Sequence, residues 1–416
     1  MDSSSSASSA KIDKLLGAPK RLIASAFFCM LVAFFSFNWI LEKLNPLEIL
    51  FFTGMTSIRQ NNMVSKLPKI LRSQENPTVI MLGSSISLYP MVHLDDMQKQ
   101  GKTRWDETYV RYQCCPYQKA EFLKQGLEKS LNRQLSLTNA SVVAAIISDQ
   151  YLILDKYLKA GKKPEIVMLF TAPRDFMLNN ASQIGKSPTF EILADHQNFY
   201  DVLSSNPDFR TLTEFAIGRV FPYYNSRRDY KGLALAFTER LTGRTKAQSG
   251  NADSPKAVNV LDVDKFWEAE AIYKQPPNKL KQLDYYRSSY QPLDEKRIEN
   301  QTRYFNRFLA LARKNDIKVV VVDTPLPQIH YDLIPGNGLE TYRKILAESC
   351  SNYGAVLVSP IRGDIYDLND FEDVSHLNLR GANKLCQYLF ENLNAKSISA
   401  DDKVMISRPP SKTKQL

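Results

Sequence analysis

The 416-residue chain has four histidines, and the last of them lies in "DFEDVSHLNLRGANKL". Asp373 precedes His376 by three positions there. On one helical turn the two side chains share a face, so the carboxylate can orient the imidazole and stabilise its protonated form. Such an imidazole needs a hydroxyl to activate, and "LGSSIS" (82–87), directly after the apolar run "TVIML" (78–82), offers one. Glycine permits a tight turn with close backbone approach, and a serine beyond it presents its hydroxyl beside backbone N–H groups. Each signal alone has a bland reading, because Gly-Ser-Ser is a common turn and D-x-x-H a common capping pair. Occurring together, at the two ends of one domain, they point to Ser-His-Asp nucleophilic chemistry.

The elements that must position these residues are legible in the hydrophobic pattern. "TVIML", "IVMLF" (166–170), "IKVVVVD" (317–323) and "GAVLVS" (354–359) are short apolar runs rich in β-branched residues, as expected of strands buried on both faces. Helical spacing fills the intervals at 145–161, 297–315, 339–354 and 380–393. Strand and helix alternate, which predicts an α/β fold, a parallel sheet flanked by helices in three layers. Ligands of such sheets sit beyond the carboxyl ends of the strands, the edge to which both the Ser85 turn and the Asp373–His376 segment are expected to map. The alternation is interrupted at about 176–295, read as an insertion, and its segment "RRDYKGLALAFTERLTGRTK" has a basic amphipathic face suited either to solvent or to a membrane surface.

Composition places this domain in a setting. The stretch "LIASAFFCMLVAFFSFNWIL" (22–41) carries no charge over 20 residues, enough to cross a bilayer as a helix, and no small-residue cleavage site follows it. The boundaries expected are a disordered cytoplasmic tail at 1–19, a transmembrane anchor at 20–43, a juxtamembrane linker at 44–77, the α/β domain at 78–395 and a disordered tail at 396–416. Lys11, Lys14, Lys20 and Arg21 precede the span, which puts the N-terminus inside and the large domain outside the cytoplasm. The net charge of +10 is spread along the chain, which argues for a mixed surface with some preference for anionic lipid or polymer and against nucleic-acid binding. No Cys/His spacing resembles a metal site and no cofactor is implied. Five cysteines do not make a disulfide framework, although Cys350 and Cys386 could pair in an oxidising compartment.

The nucleophile turn after the first strand and the D-x-x-H pair near the C-terminus together resemble the SGNH/GDSL hydrolase superfamily, over about residues 78–393. The anchor, the "GSS" variant and "HLNLRGANKL" look like its membrane-anchored branch, related to the D-alanyl-lipoteichoic acid protein DltD and the alginate O-acetylation proteins. The resemblance puts the nucleophile on Ser85 rather than Ser84, the base on His376 and its orienting partner on Asp373. "NASVVAA" (139–145) resembles the second block, containing Asn139, with Ala144 where glycine is usual. "TAPRDF" (171–176) resembles the third, with Arg174 at the asparagine position and Asp175 retained. Arg174 is open to three roles: oxyanion donor, holder of an anionic substrate, or structural ion pair.

The resemblance therefore implies an anchored serine esterase or O-acyltransferase acting on an acylated glycan, polymer or lipid of the cell envelope, with a membrane O-acyltransferase as a candidate partner and transfer slightly preferred to hydrolysis. The alternatives are a simple anchored esterase and a non-catalytic tethered binding or assembly protein on a degenerate fold. Two further features carry weaker expectations. Asp323 and His330 could reach substrate from the loop after the third apolar run, and Tyr285, Tyr286, Arg287 and Tyr290 form either a sugar-binding surface or loop packing.

Overall fold

The computed structural model describes residues 25–40, 63–64, 66–101, 114–181, 183–221, 224, 282–360, 365–393 and 405–406. The tail at 1–19, the basic amphipathic segment at 227–246, much of the linker and nearly all of 396–416 lie outside these residues. The chain divides into two compact units, Met1–Ile58 with Asp208–Ala247, and Arg59–Pro207 with Gln248–Leu416.

In the first unit, residues 25–40 form a helix on which Phe27, Phe28, Met30, Phe35, Phe37 and Trp39 are all exposed. Its one buried polar residue, Asn38, donates from Nδ2 to the Phe34 carbonyl. The Phe221 ring, just after the helix Phe209–Val220, lies 5.0 Å from that of Phe34 and 5.6 Å from that of Phe35. Among the described residues no helix is long and apolar enough to cross a membrane.

The second unit is α/β. In chain order its main elements are β1 (Val79–Leu82), α1 (Ser85–Gln100), α2 (Glu121–Leu131), β2 (Leu137–Asn139), α3 (Ile147–Lys159), β3 (Ile166–Thr171), α4 (Arg174–Met177), α5 (Gln282–Tyr290), α6 (Glu295–Lys314), β4 (Lys318–Asp323), α7 (Gly338–Tyr353), β5 (Val356–Val358) and α8 (Leu379–Asn392). The strands run in the order β2-β1-β3-β4-β5, every pair parallel. A two-residue strand, β6 (Met405–Ile406), adds to the β5 edge from within the segment expected as a tail.

Helices cover both faces: α3 packs on α6, and α8 packs on α1 and α2. Every residue of β1 and β3 is therefore buried, and alternate side chains feed opposite cores. Val79, Met81, Met168, Phe170, Val320 and Val322 join Leu123, Leu127, Leu385 and Leu389 in one of them.

The four apolar runs form strands and the four periodic segments form helices, as their patterns predict. The short edge strand β2 is the addition, half-exposed and too brief to show an alternating signature. Between β3 and β4 the described residues contain helices and no strand; residues 225–281 of the stretch read as an insertion lie outside them.

Candidate active site

The geometry begins at the end of β1. Gly83 is required by crowding: a Cβ there would lie 2.3 Å from Ser87 Oγ and 3.1 Å from both the Phe170 Cβ and its carbonyl oxygen. The Gly83 carbonyl accepts from the Val142 N–H at 3.0 Å and from Gln150 Nε2 at 2.9 Å, tying the loop after β2 to the turn. Ser84 is extended, and Ser85 opens the 16-residue helix α1. The first N–H groups of a helix have no partner within it, so Ser85 Oγ stands beside backbone donors at the positive end of a dipole.

Ser85 Oγ donates to His376 Nε2 at 2.8 Å, and His376 Nδ1–H donates to Asp373 at 2.8 Å (Oδ2) and 3.0 Å (Oδ1). The Asp373 and His376 side chains retain only 11% and 13% exposure and Ser85 is buried at 4%, a site nearly closed to water. Burial alone would raise the Asp373 pKa, but the His376 imidazole and the Ser375 and His376 backbone N–H groups hold it at about 2. The Tyr89 ring, one helical turn along from Ser85, packs 5.2 Å from the imidazole.

The sequence reading put Asp373 and His376 on a helical turn, and this is corrected. The chain bends through 372–375 and closes with an antiparallel bridge between Phe371 and Leu377. Asp373 Oδ1 accepts from the Ser375 N–H at 2.7 Å and the His376 N–H at 2.8 Å, so the carboxylate organises its own turn, as short acidic side chains do in competition with helix.

The remaining candidates divide. Ala144 has φ +59°, the left-handed region that glycine adopts freely, and it is exposed on the loop tied to Gly83. Asn139 is spent on structure: its Oδ1 accepts from the Ser141 N–H at 3.0 Å and its Nδ2 donates to the Lys119 carbonyl at 3.2 Å. Arg174 Nη1 donates to the Tyr286 hydroxyl at 3.3 Å, and its Nε stands 3.8 Å from Asp175 Oδ1, a loose ion pair. Asp175 is pushed up to about 6 by burial, against the opposing pull of Arg174, the Ala172 N–H and the Thr171 hydroxyl.

Asp323 is buried and accepts from the Tyr342 hydroxyl at 2.8 Å and the Ser359 hydroxyl at 2.9 Å. His330 is also buried, against Tyr286 and Tyr290, so these tyrosines serve packing while Tyr285 stays exposed. Cys350 and Cys386 are buried free thiols. Glu372, Asp373 and His376 bring ligand-type atoms within 4.8 Å of one another, but the facing atoms of the last two are engaged with each other and with Ser85. Sequence reasoning missed Tyr89, for which the only available signal was its i+4 spacing from Ser85.

The fold and this constellation define a parallel α/β protein with a Ser-His-Asp relay beyond the carboxyl end of its first strand. The chain belongs to the DUF1574 family, a protein family of unknown function, which it matches over residues 53–393. No curated protein matches it.

Proposed function

We propose that this protein is a membrane-anchored SGNH-like acyl-ester enzyme of the cell envelope. The observation that carries the reading is the unbroken relay from Ser85 Oγ through His376 to Asp373, each link at hydrogen-bond distance. Ser85 Oγ attacks the acyl carbonyl of the substrate while His376 Nε2 takes its proton, and Asp373, ionised at all but very low pH, stabilises the imidazolium. The tetrahedral oxyanion is held by the Ser85 and Ala144 backbone N–H groups and by Arg174. His376 then protonates the departing alcohol, leaving an acyl-Ser85 ester. A hydroxyl of a glycan, polymer or lipid, deprotonated by the same imidazole, accepts the acyl group; water in its place gives hydrolysis.

Anchoring is supported by the uncharged stretch 22–41, whose residues 25–40 are helical with apolar side chains exposed around the helix, and it favours transfer beside a membrane acyl donor. The left-handed Ala144 speaks against a degenerate, non-catalytic fold, because a strained backbone persists where its surroundings enforce it.

A fluorophosphonate probe tests the proposal on the full chain. Wild type should be labelled at Ser85, Ser85→Ala not at all, and His376→Ala at a rate reduced about 100-fold or more. A folded wild type that resists the probe would defeat the enzyme reading.

A further inference from the structure

We propose that His330 and Tyr290 are positioning residues that clamp the Asp373–His376 turn by its backbone, so that the distal end of the insertion completes the site; this rests on the reading of Ser85 as a nucleophile. His330 Nδ1 lies 2.6 Å from the carbonyl oxygen of Val374, which belongs to the turn between the acid and the base. A carbonyl can only accept, so Nδ1 carries the proton and Nε2 offers its lone pair. The Tyr290 hydroxyl, 2.8 Å away, donates to it. His330, Tyr290 and Val374 are all fully buried, so no water competes for these bonds.

The clamp has a second arm. The Tyr286 ring packs on His330 with centroids 4.5 Å apart, while its hydroxyl receives the Arg174 Nη1 hydrogen bond. One buried imidazole thus connects the turn bearing the base with the guanidinium at the third block. Both tyrosines lie on α5, whose far end is fixed in turn: the Asn179 N–H donates to the Ser289 carbonyl at 2.8 Å and Asn179 Nδ2 to the Pro292 carbonyl at 2.6 Å. The sequence offered His330 as a residue that could reach substrate; in the fold it is fully buried and acts through Val374.

The test exploits the different reach of two amide side chains. In His330→Asn the amide nitrogen falls near the place of Nδ1 and can still donate to Val374, whereas in His330→Gln it falls near Nε2 and faces Tyr290. If the turn is what His330 holds, His330→Asn should keep the fluorophosphonate labelling rate within about threefold of wild type and His330→Gln should lose about tenfold, the scale expected when a reacting group drifts by a fraction of an ångström. A merely structural role would lower the thermal stability of both and leave their labelling rates alike. Equal rates in the two folded variants, or a faster His330→Gln, would overturn the proposal.

Ring nitrogen NMR of the ¹⁵N-histidine-labelled full chain supplies a readout independent of activity. His330, assigned by its loss in His330→Asn, should show a protonated Nδ1, and a protonated Nε2 instead would equally overturn the clamp. A wild type that shows the Nδ1–H form yet is never labelled would sink the nucleophile reading and leave the clamp as a structural fact of the turn.

Discussion

Ala144→Gly is the substitution in which the backbone speaks most directly. An alanine held at φ +59° costs about 1–2 kcal/mol relative to its ordinary conformations, because its Cβ crowds the following carbonyl. Glycine escapes that cost but leaves a more flexible unfolded chain, a penalty of about 0.5–1 kcal/mol. Ala144 is exposed, so no packing is lost with the methyl group. The net expectation is a gain of about 0.5–1 kcal/mol, equivalent to a rise of roughly 1–2 °C in Tm for a domain of this size. Ala145→Gly is the internal control, because Ala145 is buried and has no left-handed backbone. There the same change forfeits a buried methyl and adds chain entropy, a loss of about 1–2 kcal/mol. Paired thermal melts of the two variants in one buffer read the difference in sign. A fall in Tm for Ala144→Gly would refute the reasoning, because it would mean that the position does not carry strain or that its methyl contributes packing.

Gly83→Ala should destabilise by about 1–3 kcal/mol, since the new methyl must displace the hydrogen-bonded Ser87 hydroxyl and press on the Phe170 backbone. Its labelling by the fluorophosphonate should slow as the Ser84–Ser85 turn shifts, and a variant as stable and reactive as wild type would contradict the crowding. The pH dependence of His330→Asn should reveal the buried imidazole. Burial lowers the His330 pKa to about 3 against an unfolded value of about 6.5, so in that window only the unfolded chain holds the proton, and the contribution of His330 is lost as pH falls below 6.5. Wild type should not show this loss plainly, because Asp149, Asp175 and Asp323, each raised to about 6 by burial, bind their protons in the folded state and act with the opposite sign from pH 6 down to about 4. The stability difference between His330→Asn and wild type should nevertheless shift towards the variant by about 1 kcal/mol per pH unit between 6 and 4. Denaturant melts at pH 7.0, 5.5 and 4.5 measure it, and a constant difference would show that His330 is not buried neutral.

The sequence made much of this molecule legible, for identifiable reasons. Strands buried on both faces must be continuously apolar, so "TVIML" and "IKVVVVD" could be read without knowing their neighbours. Ser85, Asp373 and His376 were readable because their types and spacing are constrained by the chemistry they could perform. The helical turn expected at Asp373–His376 failed because a three-residue spacing suits both a helix and a self-capping loop, and only the hydrogen bonds to the Ser375 and His376 amides distinguish them. Tyr290 and His330 stood open between substrate-facing and packing roles for a related reason: polarity in a loop near the active edge does not reveal whether a side chain points outward or inward.

Sequence by itself determined the α/β class, the position of four buried strands along the chain, the uncharged N-terminal stretch and the types of the three groups that form the relay. Periodicity and residue chemistry are local properties, and they survive in a one-dimensional string. Tertiary structure alone decided that Ser85 Oγ and His376 Nε2, 291 positions apart in the chain, meet at 2.8 Å. It alone decided that Ala144 takes the conformation of a glycine, that Asn139 turns to the backbone, and that a second histidine is buried behind the first. Those outcomes depend on which elements the sheet brings together and on which polar atoms are left for one another once water is excluded.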